Sequence, residues 1–566
     1  MKRLFALTAT LLPAVVSADH HAPDQKPAAP ASPAAQVNPA TPAPNTQTKA
    51  MTKWPEPIPQ EVYQKRVAEK LAEVDAVVAA GPYKPNAESL RQIGIPEWYA
   101  DAKLGIFIHW GAYSVPAFGS EWYPRKMYDP STKEHKHHVE KYGPLSEFGY
   151  KDFLPMFKAE KFDPKSWAEL FKKSGARYVM PVAEHHDGHS LYDNSFTRWD
   201  STEIGPMRDV IAELKTEIKA QDMKFCVSSH RAFNWAYFFR MEGADNTNPE
   251  FYDLYSPAQD YLFPGKTDQV FLPDHKHTWV SDELFRKDWL ARTAELVDKY
   301  EPDVIWFDFG IGRDKNGTVE SNDHYALNQK FAAYFYNQAA KRGLDKEIAI
   351  NYKWNALSDG EAMLDIERGK LAGIRPDVWQ TDTSISYNSW GYIENHKYKP
   401  VNVIVDDLID IVSKNGVLLL NIGPKADGTI PAKDREILLA LGQWLETNGE
   451  GIYETRPWKS FGEGPTTSEE GAHQEHTQKG YTEEDIRFTR SKDSETLFAF
   501  LMEWPKGNVT IKSLAAGNQK ETRKIRRIDL LGHGSVNFIQ TKSGLSVELP
   551  TNQPTDYAHG LKISFE

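Results

Sequence analysis

The sequence predicts a (β/α)8-like barrel followed by a small C-terminal antiparallel β-sandwich, and three observations support that expectation. From Trp98 onward short, near-continuous apolar runs alternate with amphipathic helical stretches, as in a parallel sheet covered by helices. Eight such runs over about 350 residues favour a barrel over an open doubly wound sheet, and no glycine-rich phosphate loop follows the first of them. From about Thr455 the helical period disappears, and short alternating runs separated by turn residues take over.

Taken in order, residues 1–18 open Met-Lys-Arg, run apolar from Leu4 to Val16 and end on the small residues Ser17 and Ala18. These are the parts of a signal peptide, so the chain is expected to be exported to a periplasm or the cell exterior. The lack of cysteine pairs suits a bacterial source, and no cysteine follows the signal to carry a lipid. No other segment approaches the roughly 18 apolar residues that a membrane helix needs. Residues 19–52, rich in Ala, Pro, Gln, Asn and Thr, read as an extended linker in which His20 and His21 are solvated. The barrel is expected over residues 53–454, introduced by a charged helix at 59–80. Its strands are placed at 105–109, 176–182, 224–228, 304–308, 347–352, 363–367, 377–382 and 417–422. Helices are placed at 164–174, 206–221, 282–300, 323–342 and 401–414. The sandwich is expected over 455–566, with strands at 485–490, 496–504, 508–513, 525–531, 536–541, 545–549 and 561–565.

Composition narrows the chemistry. The 566 residues carry 79 acidic and 67 basic side chains, a net charge of −12, which weighs against a nucleic acid as partner. A single cysteine, Cys226, excludes intrachain disulfides and thiolate metal sites, and its place in a strand marks it as a small buried hydrophobe. Sixteen Trp and 18 His exceed what a core of this size requires and leave material for a binding cleft. Trp379 and Trp444 read as core.

In a β/α barrel the site forms where the strands end. Those ends read His109-Trp110, Glu184-His185-His186-Asp187, Ser229-His230, Trp306-Phe307-Asp308, Tyr352-Lys353, Asp365-Ile366-Glu367, Gln380-Thr381-Asp382 and Asn421-Ile422, with Glu121-Trp122 on the loop after the first strand. Paired carboxyls with aromatic platforms suit glycoside hydrolysis. The same rim suits a metal-dependent hydrolase in which His109, His185, His186, Asp187 and His230 hold a divalent ion. A non-catalytic carbohydrate-binding protein would use the same aromatics.

The stretch from Trp98 to Gly111, with Tyr113-Ser114-Val115-Pro116 and Glu121-Trp122-Tyr123, resembles the opening strand of the α-L-fucosidases of glycoside hydrolase family 29. The resemblance continues in Glu184-His185-His186-Asp187-Gly188, Trp306-Phe307-Asp308, Ser389-Trp390-Gly391-Tyr392, Leu420-Asn421-Ile422-Gly423-Pro424 and Asn448-Gly449-Glu450-Gly451. It implies an exo-acting retaining enzyme that removes terminal α-L-fucose from fucosylated glycans through a covalent intermediate, with no metal or organic cofactor. Asp308 matches the family's nucleophile. His109, His185, His186, Trp306 and Trp390 match residues around the fucose, with His230 completing the pocket and Glu121 and Trp122 bordering it.

The acid/base varies in position within the family. Glu367 is the preferred candidate, expected to hold its proton through a raised pKa, and Glu121 is the second. Gln380, where many relatives have Glu, cannot deliver a proton. An ion pair of Glu367 with Arg368 or Lys370 is the structural alternative. Lys353 stands where relatives often show arginine, and lysine lacks the bidentate fork. His135, His137 and His138, beside Lys133 and Lys136, read as a solvated loop.

Overall fold

A computed structural model describes residues 54–256, 283–308, 322–353, 356–475 and 480–566. The expected signal and linker, with His20 and His21, lie outside the described residues. Eight parallel strands form the first unit: β1 (Leu104–Ile108), β2 (Tyr178–Glu184), β3 (Lys224–Ser229), β4 (Val304–Phe307), β5 (Ala349–Tyr352), β6 (Met363–Leu364), β7 (Trp379–Ser384) and β8 (Gly416–Ile422). Their order is β6-β5-β4-β3-β2-β1-β8-β7, so the sheet curls until its two edges meet. The Leu-Gly-Ile-Phe-Ile run of β1 is buried throughout, as a strand covered on both faces must be. Gly105 is obligatory within it, because a Cβ there would meet the Tyr178 ring at 2.2 Å.

The β6–β7 seam departs from expectation. The sixth strand is two residues long instead of reaching Glu367, and the chain then leaves regular pairing. Single hydrogen bonds close the barrel instead, from Ile366 N–H to the Gln380 carbonyl at 2.9 Å and from Arg368 N–H to the Asp382 carbonyl at 2.8 Å. Arg368 lies at φ 44°, a left-handed conformation that a strand cannot contain.

Helices cover the barrel, among them Gln60–Ala80, Pro164–Lys173, Val210–Ala220, Glu283–Tyr300, Asn322–Ala340, Val401–Ser413 and Ala432–Asn448. Asp163 caps one by accepting from Ser166 N–H, with Pro164 in its first turn. The helix expected from 206 starts at Val210, because Asp209 is its N-cap and Met207 takes a left-handed φ of 55°. Much of the tryptophan surplus is core. Trp110, Trp199, Trp289, Trp306 and Trp379 are fully buried, and Trp110 packs on Phe157, Phe162 and Trp167. Truncating one such ring costs about 3–5 kcal/mol.

His135, His137 and His138 correct the expected solvated loop: they lie on the helix Lys133–Tyr142, capped by Thr132. His138 is completely buried between Tyr123 OH at 3.1 Å and the Phe148 carbonyl at 2.8 Å, and His137 stacks on Phe118. Helical spacing turns part of the basic run inward, which its composition conceals.

The second unit holds an antiparallel sheet ordered β14-β13-β17-β11-β10-β9 and a smaller one ordered β12-β16-β15. Its strands are β9 (Arg456–Glu463), β10 (Ile486–Arg490), β11 (Thr496–Leu501), β12 (Val509–Ile511), β13 (Ile525–Leu530), β14 (Gly534–Ser535), β15 (Phe538–Thr541), β16 (Gly544–Val547) and β17 (His559–Phe565). Phe488, Leu497, Ile528 and Ile563 of one sheet share a core with Ile511, Leu545 and Val547 of the other. Strand β9 was not anticipated, since only Trp458 along it is buried and no alternation marks it. The units are locked together by Arg487, whose Nε donates to Asp410 Oδ1 at 2.6 Å, while Lys414 Nζ donates to Oδ2 at 2.7 Å. Burial opposes ionisation of Asp410, but the two cations win and hold it at about 2. Among the described residues no helix is long and apolar enough to cross a membrane.

Candidate active site

The C-terminal ends of the strands converge on one mouth, and Asp308 stands near its centre, immediately after β4. One oxygen, Oδ1, accepts from Lys353 Nζ at 3.0 Å, at the end of β5. The other, Oδ2, lies 2.9 Å from His186 Nε2 and 3.7 Å from His230 Nδ1. Burial alone would raise the Asp308 pKa. The Lys353 ammonium and then the His186 hydrogen bond override it and hold the carboxyl well below the usual aspartate range. The result is a carboxylate that stays ionised while only 13% of its side chain is exposed.

The histidines are oriented by groups behind them. His186 Nδ1 lies 2.9 Å from the His230 carbonyl, so both of its ring nitrogens face oxygen atoms. Asn421 Oδ1 accepts from the His109 backbone N–H at 3.1 Å and meets His109 Nδ1 at 2.7 Å. Its amide nitrogen is engaged by Ser384 Oγ and the Trp390 carbonyl, so His109 Nδ1 donates and Nε2 is left as an acceptor. Burial pushes His109 down to about 3, and burial first, then the mutual repulsion of the rings, holds His185 well below the usual range. His230 is lowered by burial as well. Neutral rings of this kind suit hydrogen bonding to hydroxyls. His185 Nδ1, His230 Nδ1, Trp306 Nε1 and Tyr113 OH are buried without a hydrogen-bond partner among the described residues. Such groups are costly unless a ligand satisfies them.

Aromatic rings wall the mouth. Trp306 carries Lys353 Nζ 4.5 Å over its ring, Trp390 lies 5.2 Å from His109, and Trp122 lies 5.6 Å from His186. Glu121 sits behind this wall. Its Oε2 accepts from Trp390 N–H at 2.9 Å and Ser389 Oγ at 3.1 Å, which pins the loop bearing Trp390.

Glu367 faces Asp308 across Lys353, whose Nζ reaches Glu367 Oε2 at 2.8 Å. One ammonium about 3 Å from both oxygens keeps them within about 6 Å of each other, a limit that admits the ~5–5.5 Å of a retaining pair. The raised pKa expected for Glu367 is not found. Burial favours the protonated form, but Lys353 and then His473 prevail and lower it. Arg368 and Lys370 do not pair with it; they turn to Glu475 and Asp407. Beneath Lys353, 3.7 Å from Asp382 Oδ2, lies a second acidic pair. Asp365 Oδ2 and Asp382 Oδ1 are buried without a hydrogen-bond partner among the described residues, and burial raises Asp365 to about 6 and holds Asp382 well above the usual aspartate range. Gln380 donates to Asp365 Oδ1 at 2.7 Å from within the barrel, away from the mouth.

Lys353 is the residue whose importance the sequence understated: it ends its strand as the histidines do, yet it is the common partner of both carboxylates. A cation could also be held here. Ring nitrogens of His109, His185 and His230 lie within 4.8 Å of one another, as do ligand atoms of His186, His230 and Asp308. Asp187, grouped with them from sequence, turns away to Tyr150 and to the His189 N–H at 3.1 Å.

Comparison with known proteins gives the same picture over most of the chain. The family model described as Alpha-L-fucosidase matches residues 70–450, and that of the Alpha-L-fucosidase C-terminal domain matches 478–564. Human plasma alpha-L-fucosidase is 30% identical over 485 residues, 83% of this chain and 89% of that protein. Mouse tissue alpha-L-fucosidase is 29% identical over 504 residues, 86% and 96% respectively. The crystal structure of Thermotoga maritima alpha-fucosidase in complex with a mechanism-based inhibitor superposes with a TM-score of 0.65 at 28% identity, covering 85% of this chain and all of that one.

Proposed function

The chain belongs to the α-L-fucosidase family, and from that premise we propose a residue-level account of how it hydrolyses terminal α-L-fucosides with retention. Asp308 attacks C1 of the fucose while Glu367 gives its proton to the departing glycosidic oxygen, leaving a fucosyl ester on Asp308. Glu367 then takes a proton from water, which attacks C1 and frees the carboxylate. His109, His185, His186 and His230 bind the sugar hydroxyls, and Trp122, Trp306 and Trp390 provide apolar faces for the ring. The single observation behind this account is the Lys353 ammonium shared between Asp308 and Glu367.

Lys353 gives the two steps different characters. In the free enzyme it favours ionised Glu367, so the first step draws on a protonated form that becomes scarce as pH rises. Once the ester neutralises Asp308, Lys353 faces Glu367 without that competing charge and supports it as the base. Glu121 is the weaker acid candidate, because its inward oxygen is occupied in holding the Trp390 loop.

Proton NMR of an aryl α-L-fucoside under hydrolysis tests this reading: α-L-fucose must appear before its mutarotated β anomer. β-L-fucose appearing first, or activity abolished by EDTA and restored by a divalent ion, would contradict it. Export through residues 1–18 remains part of the proposal, supported by their composition and tested by the amino terminus of the secreted protein. The substrate class is a fucosylated oligosaccharide or glycoconjugate.

A further inference from the structure

We propose that Glu475, on the connection between β9 and β10 of the second unit, is a positioning residue for the acid/base of the barrel, acting through Arg368. The proposal rests on the reading of Glu367 as that acid/base.

Glu367 stands on irregular chain, three residues beyond the end of β6. What holds it comes from a segment more than a hundred residues later in the chain. Residues 471–475 run alongside 367–370. Gly471 and Lys370 exchange backbone hydrogen bonds at 3.0 and 3.1 Å, His473 N–H donates to the carbonyl of Glu367 at 2.9 Å, and Glu475 N–H donates to that of Arg368 at 3.3 Å. Gly369 permits the approach, since a Cβ there would meet the Gly471 carbonyl oxygen at 2.9 Å.

The Glu475 side chain is 4% exposed and gathers three donors: Arg368 Nη1, Thr383 Oγ1 of β7 at 2.5 Å and Lys399 Nζ at 2.6 Å. Arg368, fixed in this way in its left-handed conformation, lays its guanidinium 4.5 Å over the ring of Trp390 and donates to the Ser386 carbonyl at 3.2 Å. One buried carboxylate therefore ties together the residue after Glu367, the strand on the far side of the seam and the aromatic wall. Charge-assisted bonds to a buried carboxylate are the strong kind, and they define direction as well as distance. A catalytic group on irregular chain needs such support to keep its geometry within a fraction of an ångström. Lys399 and Arg368 also outweigh burial and keep Glu475 ionised, down to about 2.

A residue that only stabilises the fold would lower activity on every substrate alike. One that aims the acid matters most where the leaving group needs a proton. The test is kcat/KM of the full chain on phenyl and on 2,4-dinitrophenyl α-L-fucoside, for Glu475→Gln, Glu475→Asp and Glu367→Gln. Glu475→Asp keeps the charge of the buried cluster and serves if Glu475→Gln fails to fold. For both Glu475 variants the loss on the phenyl glycoside is expected to exceed that on the dinitrophenyl glycoside by about ten-fold or more, in the same direction as for Glu367→Gln. Equal losses, or none, in a folded Glu475 variant while Glu367→Gln discriminates would overturn the positioning role. If Glu367→Gln itself fails to discriminate, the acid/base assignment falls and the positioning role falls with it.

Discussion

Asp308 and Glu367 lie on opposite sides of one ammonium, but they are supported in different ways. Asp308 follows directly from a four-residue parallel strand, and its partners His230 and Lys353 end the neighbouring strands β3 and β5, with His186 just beyond β2, the next strand over. Glu367 follows a strand of two residues, at the seam where the sheet closes on single hydrogen bonds, and is braced from the second unit. The regular part of the barrel thus places the proposed nucleophile, and the irregular part places the proposed acid. The difference is useful chemically: a nucleophile must meet C1 at one position, whereas an acid must serve leaving groups of different shape.

Lys353→Met breaks this comparison most severely, because it strikes both sides together. kcat on an aryl fucoside is expected to fall by about 10²–10³-fold, the scale of losing one preorganised electrostatic contact. The pH profile gives the sharper reading. Lys353 lowers Glu367 against burial, so removing the ammonium raises that pKa and lets the protonated acid survive to higher pH. The alkaline limb of kcat/KM, which reports the free enzyme, is expected to move upward in Lys353→Met. An unmoved limb would mean that the limb belongs to another group. A smaller effect is expected from Glu121→Gln, which keeps an acceptor for Trp390 N–H but removes the charge. A loss of about ten-fold or less, mainly in KM, fits a residue that holds the sugar-facing wall. A loss as deep as that of Glu367→Gln, discriminating between leaving groups, would return Glu121 to the acid role.

The same contrast governs what could be read from the sequence. The apolar strand pattern predicts the barrel, and a parallel barrel collects every strand end on one rim, so His109, His185, His186, His230 and Asp308 were identifiable as a group. Lys353 was visible as a strand end, but its shared contact with two carboxylates depends on strand stagger, which no local pattern records. The pKa direction of Glu367 was misjudged because the charges that lower it, on Lys353 and then His473, are remote from it in sequence, while its charged neighbours Arg368 and Lys370 turn to Glu475 and Asp407. Glu475 itself carried no signal: in the sequence it is one acid in a polar, turn-rich stretch, far from the residues it supports. The histidines at 135–138 were misread for a related reason, since a basic run hides the inward face of its helix.

The central claim is that Asp308 forms the bond to fucose, and the most direct measurement is Asp308→Gly with azide. The variant is expected to lose turnover of an aryl α-L-fucoside by about 10⁴-fold or more, as when a covalent nucleophile is removed. Added azide is expected to restore release of the aryl alcohol and to give β-L-fucosyl azide, with configuration inverted because azide enters where the carboxylate stood. Undiminished hydrolysis by Asp308→Gly, or rescue that yields the α-azide, would contradict the account.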